Sequence, residues 1–200
     1  MSQIKLKHSG GNSVIIAAPD SNPASDRTLK LPSNADGTVL TTTNPKAGNI
    51  IQVVSTTKTD TFSATSTGTP ADITGLSVSI TPSSNSNKIF IMYSVHVAAG
   101  SDWGGHVILL LRDSTAIASA TDVGNRSSGT SIVRGDEAYG NCVSQHFLDS
   151  PATTSATTYK LQHKDPSTNN LIYINRTRTD NNDAGYQRLT SSITVMEVAA

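Results

Sequence analysis

The apolar stretches of this 200-residue chain run for only five to nine residues before Gly, Pro, Asn or Asp interrupts them. An amphipathic helix would need about ten or more periodic residues, whereas short β-branched runs between turn residues are the signature of strands. Strands are therefore expected near 49–55, 60–66, 73–81, 87–98, 105–112, 115–121, 129–134, 141–148, 156–164, 169–177 and 187–199. Only 115–121 also suits a helical turn, through Ala116 and Ala118. Turn signals recur at intervals of about 8 to 15 residues, the spacing of an antiparallel sandwich or barrel. The run 89–97 is apolar at nearly every position and 107–111 throughout, which predicts strands buried on both faces. No internal repeat with a period of about 20 to 50 residues is visible.

Composition narrows the chemistry. Hydrophobic residues make up 36% and charged residues 15%, with Ser, Thr, Asn and Gly supplying the difference. Such a chain offers neutral hydrogen-bonding surface. Fifteen basic and fifteen acidic residues cancel, so no long-range field draws the protein to nucleic acid or an acidic membrane. Cys142 is the one cysteine, which excludes an intramolecular disulfide framework and a thiolate metal cluster, and it reads as a small buried residue on a strand. The opening MSQIKLKHSGG has no apolar core of a secretory signal, and no run of about 18 apolar residues follows. Synthesis in the cytoplasm without membrane insertion is the expectation.

Residues 1–47 differ from 48–200. Their strand-like runs, at 4–7, 14–18, 28–31 and 38–43, are separated by turn clusters at 9–12, 19–23 and 32–37. The apolar content is small, and the candidate attachment residues are Ile4, Leu6, Val14, Ile16, Leu29, Leu31, Val39 and Leu40. Runs this short bury no core alone and need neighbours. The last strand makes a different point. Alternation puts Ile193, Val195 and Glu197 on one face and Thr194, Met196 and Val198 on the other. Chain ends are normally polar and frayed. One this apolar is expected to be clamped, in the centre of a sheet or against a neighbouring subunit, which makes Ile193, Val195, Met196 and Val198 candidates for core or interface.

Three stretches carry a resemblance: IKLKHSGGN at 4–12 leading into VIIAAP at 14–19; RTLKLP at 27–32 with DGTVLTT at 36–42; and SITVME at 192–197. They resemble virion structural proteins common in marine and cyanobacterial tailed phages. The first two look like a fibre pattern in which a short strand, an RTLTLP strand and a DGTVL strand precede a head. The likeness covers about 47 N-terminal residues and the last ten, while the middle matches only in kind. It implies an interlaced or annular trimeric N-terminal segment and a head similar to the jelly-roll heads of tumour necrosis factor-like and complement-like trimers. Strands that lack a core of their own would find one across a threefold axis. Shaft repeats are missing from residues 1–48, so the implied object is a short fibre or tip, or a surface decoration, and its position on the particle stays open.

Candidate chemistry is thin. Asp136 and Glu137 are adjacent, so on a strand they face opposite ways, unlike the facing carboxylates of a glycosidase. Asp102, Asp122, Asp149, Asp165, Asp180 and Asp183 lie in turn-like segments, where Asp bonds its own backbone. If 87–98 and 105–112 form a hairpin, His96 and His106 share a face, either packed or holding an ion on a symmetry axis. Two ligands are fewer than zinc requires. No phosphate loop and no nucleophilic elbow is present. Arg176, Arg178 and Arg188 form the densest basic group and read as a solvated turn flank.

Loop surface remains. Trp103, beside Asp102 in an expected hairpin tip, either stacks on a sugar or partner or folds back over the end of the sandwich. The 180–186 loop holds Asn181, Asn182, Asp183 and Tyr186, groups suited to glycan hydroxyls, or is only a turn. The resulting expectation is an all-β, non-enzymatic component on the exterior of a tailed-phage virion, with no cofactor and no metal. Its segment 1–47 attaches to other virion proteins and assists trimerisation. Its head, an antiparallel jelly-roll-like β-sandwich over 48–200, forms a homotrimer and contacts a host-surface glycan or protein, as a short fibre or tail-associated protein does. The alternatives are a capsid-surface decoration protein and, more remotely, a surface-glycan hydrolase.

Overall fold

A computed structural model of the chain describes residues 3–7, 9–11, 13–17, 45–100, 105–121, 123–134, 140–165 and 169–200. The chain divides into two compact units, Met1–Val39 and Leu40–Ala200. In the first, β1 (Gln3–Lys7) and β2 (Ser13–Ala17) pair antiparallel, with Gln3 opposite Ala17 and Lys7 opposite Ser13. The turn between them uses Gly11 at φ 99°, a conformation that glycine adopts without strain. The strands expected at 28–31 and 38–43 lie outside the described residues.

The second unit is built wholly of strands and turns among its described residues. Its elements are β3 (Ile50–Lys58), β4 (Phe62–Thr65), β5 (Ala71–Ile80), β6 (Lys88–Ala99), β7 (Gly105–Arg112) and β8 (Thr115–Ile117), then β9 (Ser131–Arg134), β10 (Asn141–Asp149), β11 (Thr157–Lys164), β12 (Leu171–Ile174) and β13 (Ser191–Val198). One sheet runs β3–β13–β6 with β10 on the far edge of β6, and it is extended at one end by β12 and β4. The other runs β5–β11–β7, with β8 and β9 in tandem along β7. Every pairing is antiparallel. Consecutive strands from β4 to β7 alternate between sheets, as do β9 to β12, so the chain winds around the sandwich. That is jelly-roll order.

The expected β6–β7 hairpin does not exist, because β6 and β7 belong to different sheets. Two-sided burial holds for β7 but fails for β6, where Met92 is exposed and Phe90, Ser94 and His96 are half-buried. The helical alternative at 115–121 gives way to a three-residue strand.

Between the sheets lies one core, including Leu76, Val78, Ile91, Val95, Leu110, Tyr159, Leu161, Ile172, Ile193 and Val195. Burying a side chain of this size contributes roughly 1.5–3 kcal/mol. Along β5 the inward step breaks from Ile73 to Leu76, because a bulge interrupts its pairing with β11 between Lys160 and Gln162. Gly75 at φ 86° makes that bulge possible. The C-terminal strand is clamped in the centre of its sheet, between β3 and β6. Beyond it Ala199 exchanges hydrogen bonds with Gly48 and Asn49 at 2.8 and 2.9 Å, and Ala200 N donates to Asn87 Oδ1 at 3.1 Å.

Candidate functional site

Side chains directly opposite one another on paired strands share a face of the sheet. The outer face of the β3–β13–β6–β10 sheet is therefore laid out in rows. Val53, Met196, Phe90 and Leu148 form one apolar row, and Ile50, Val198 and the stem of Lys88 border it. The next row is Ser55, Thr194, Met92 and His146; beyond it come Thr57, Ser192, Ser94 and Ser144. Ile50, Val53, Met92 and Leu148 are 44–56% exposed. Among the described residues of these four strands, Lys88 alone puts a formal charge on this face, since Lys58, Asp149 and Glu197 point inward and are buried. A shallow depression of about 270 Å³ crosses its middle, lined by Met92, Ser94, Ser144, His146, Ser192 and Thr194 among others. The hydroxyls bond laterally, as Ser55 Oγ does with Thr194 Oγ1 at 2.7 Å.

Cys142 sits on this same face opposite His96, exposed, with Ser94 Oγ 3.2 Å from its sulfur. The expectation of a buried cysteine is thus overturned, because strand alternation turns it away from the core. His96 and His106 do not share a face either. His96 lies half-buried on the outer face of one sheet, while His106 is fully buried in the other. Among the described residues no group of His, Cys, Asp or Glu is placed to hold a metal ion.

A second candidate surface is the loop between β12 and β13. Its base is fixed by Asn175, buried at φ 61°, whose amide nitrogen donates to the Lys58 and Asp60 carbonyls at 2.9 Å and whose Oδ1 accepts from Ser191 Oγ at 2.5 Å. The Arg176–Arg188 bridge closes the neck. Asp180 accepts from Arg188 Nε at 2.8 Å and lies 3.7 Å from Arg176 Nη1, while the Arg176 guanidinium stacks 4.8 Å from the Tyr173 ring. Arg178 donates to the Gly100 carbonyl at 3.2 Å. Arg176 and Arg178 are thus half-buried braces, while Arg188 stays exposed as the expected flank. At the tip, Asp183 Oδ1 accepts from Gly185 N at 2.9 Å, and Asn181, Asn182 and Asp183 are exposed around a recess of about 290 Å³ completed by Tyr186 and Arg188. Asp102, Trp103, Asp122, Asp136 and Glu137 lie outside the described residues.

Ile193 and Val195 are fully buried in the core, whereas Met196 and Val198 take the outer face. Of the attachment residues, Leu6 is 57% exposed and the backbones of Ile4, Val14 and Ile16 lie in the N-terminal hairpin. Leu29, Leu31, Val39 and Leu40 lie outside the described residues.

The reading of every turn aspartate as self-bonded misses two buried carboxylates. Asp149 accepts from Arg112 at 3.0 Å and from the Tyr159 hydroxyl at 2.7 Å, tying the two sheets together. Burial, and then that carboxylate, raises the Tyr159 pKa. Asp165 is fully buried and accepts from Asn170 Nδ2 at 3.0 Å. The signal available was position: both end long strands at the rim of the core.

No family model and no curated protein matches the chain. Among solved structures it is similar to a chain of infectious bursal disease virus Gt strain, at 11% identity and a TM-score of 0.42 over 94% of this chain and 52% of that one. A Gx strain structure gives 15% identity and a TM-score of 0.33, covering 94% and 46%. The VP2 subviral particle of the same virus gives 13% and 0.31, covering 94% and 51%. The chain thus spans about half the length of the solved chains it matches. At these scores the fold rests on the strand order above and not on the likeness.

Proposed function

We propose that this protein is a non-enzymatic structural component of a tailed-bacteriophage particle, a short trimeric fibre or tail-associated protein on the virion exterior. The observation that carries the reading is the outer face of the β3–β13–β6–β10 sheet. An apolar row and two hydroxyl rows, with Lys88 as the formal charge on the described strands, form a surface that packs against its own copies without like-charge repulsion. The virion assignment is supported by the fibre-like motifs at 4–19 and 27–42, which precede a jelly-roll head. In this reading residues 1–47 mount the head on other virion proteins.

Host contact then falls to the loop between β12 and β13, where the braced Asn181, Asn182, Asp183 and Tyr186 recess offers amides and a carboxylate to a glycan or protein surface. Sedimentation of the purified chain should give a trimer, and a monomer at micromolar concentration would overturn the assembly. Quantitative mass spectrometry of virions should find a low copy number. A count comparable with that of the capsid subunits would replace the fibre with a capsid-decoration role, and new reducing ends released from host polysaccharide would replace both with a hydrolase.

A further inference from the structure

One end of the sandwich holds an arrangement that neither packing nor assembly explains. His106 of β7 and His163 of β11 are 0% and 1% exposed, with ring centroids 6.1 Å apart in an edge-to-face contact. The Phe62 ring of β4 stands 6.2 Å from His163 in the same manner. His106 Nε2 pairs with the Leu171 carbonyl at 2.9 Å, an acceptor that also takes Gly100 N at 2.7 Å. Among the described residues, three buried ring nitrogens, His106 Nδ1 and both of His163, have no hydrogen-bond partner. Buried polar atoms are almost always satisfied, and each one left open destabilises the fold. His163, with neither ring nitrogen paired, is stable in this core only while neutral.

We propose that the His106–His163 pair is an acid-sensitive latch, in which a proton taken up from solvent by a His163 ring nitrogen releases β4 and β12 from this end of the sandwich. A cation at His163 would be enclosed by Phe62, by the neutral His106 and by core side chains. Among the described residues the ionisable groups around it are already engaged, Asp165 with His106 itself. Asp165 lies 3.8 Å from His106 Nε2 and holds Asn170; Lys58, 6.0 Å from the Phe62 centroid, is paired with Asp60 at 2.9 Å. Asp72 of β5 bonds Lys160 and Gln162 on the outer face, Tyr93 of β6 bonds Ser131, and Arg178 donates to the Gly100 carbonyl. The strands that yield are the short ones. β4 and β12 have four residues each and pair with one another, and β12 is laddered to β6 at Val97, Ala98 and Ala99, flanked by the Gly100–Leu171 and His96–Asn175 backbone bonds.

Burial, with the neighbouring His106, holds the His163 pKa down to about 4 from an ordinary 6.5. Burial also lowers that of His106, against the opposing pull of the Leu171 carbonyl and Asp165. The unfolded chain therefore binds more protons between these values. The latch is fully closed above about pH 6.5 and weakens as pH falls toward 4.

The test is urea unfolding of the full-length protein, followed by circular dichroism at one protein concentration, for wild type, His163→Leu and His163→Gln. Between about pH 7.5 and 4.5 the unfolding equilibrium constant of wild type should rise by roughly 50- to 100-fold more than that of either variant. Hydrogen exchange of wild type near pH 4.5, corrected for intrinsic rates, should show protection lost in β4 and β12 before β6 and β13. Parallel acid responses of wild type and variants would overturn the latch. So would uniform loss of protection, a measurement that decides the question even if both variants fail to fold.

Discussion

Glu197 shows how one side chain holds two elements. It is 1% exposed, and its Oε1 accepts from Ser83 N at 2.6 Å and from Ser83 Oγ and Asn87 Nδ2 at 2.7 Å, which pins the β5–β6 turn to the C-terminal strand. Replacement by Ala strands these donors and should cost about 2–4 kcal/mol, read from urea unfolding. Burial raises the carboxyl pKa, but the bonds from Asn87 and Ser83 outweigh it and the net shift is downward. A carboxylate depressed in the folded state stabilises above its unfolded pKa, and that contribution disappears as pH falls through the folded value. Acid sensitivity from this source lies below the ordinary carboxylate range and should vanish in Glu197→Gln. Two residues earlier, Val195 is fully buried, and Val195→Asp would place a carboxylate among Ile91, Val54 and their neighbours. That costs several kcal/mol against the roughly 5–15 kcal/mol holding most domains folded, so expression should yield aggregated or unfolded chain, visible as loss of the β-sheet dichroism band.

At the level of elements, the irregularities decide as much as the ladders. Gly75 makes the β5 bulge, and a Cβ added there would come within 3.2 Å of Lys58 Nζ, which the bulge allows to lie buried against its Asp60 partner. Gly75→Val meets both the positive φ and that contact, and should lower stability by about 2–3 kcal/mol in chemical unfolding while leaving the outer face of the opposite sheet intact. β13 is the reverse case, a regular strand in an essential place. It lies between β3 and β6, so removing 191–200 takes away a central ladder and not an edge. The truncated chain should not give protease-resistant head, where loss of a frayed terminus would.

For the whole molecule the deciding contrast is between the two faces of the β3–β13–β6–β10 sheet. If copies of the chain pack through the outer face, Val53→Lys and Met92→Glu should shift sedimentation from trimer to monomer with the dichroism spectrum unchanged. Both side chains are about half exposed, so the substitutions introduce charge without opening the core. Deleting 1–47 should leave a folded head, because the unit Leu40–Ala200 has its own core, and should prevent its incorporation into particles.

Strand class and most strand positions were legible because they depend on local quantities, run length and β-branching between turn residues, and those survive any tertiary arrangement. The central clamping of the last strand was legible for the same reason: an end as apolar as Ile193 to Val198 has no stable place in water. Which sheet each strand joins was not legible. The Gly100-Ser101-Asp102-Trp103-Gly104 sequence reads as a hairpin tip, yet β6 and β7 belong to different sheets, and this separates His96 from His106 and instead brings His106 to His163, a residue whose sequence neighbourhood gives no hint of it. Cys142 was misplaced for a related reason, since alternation says that a residue has a side but not which side is the core. Buried Asp149 and Asp165 read as turn residues because burial is a property of what other segments place over them. The sequence alone thus determined that the chain is a set of short antiparallel strands, while the long-range pairing decided which polar groups are interior and which apolar row is left outside.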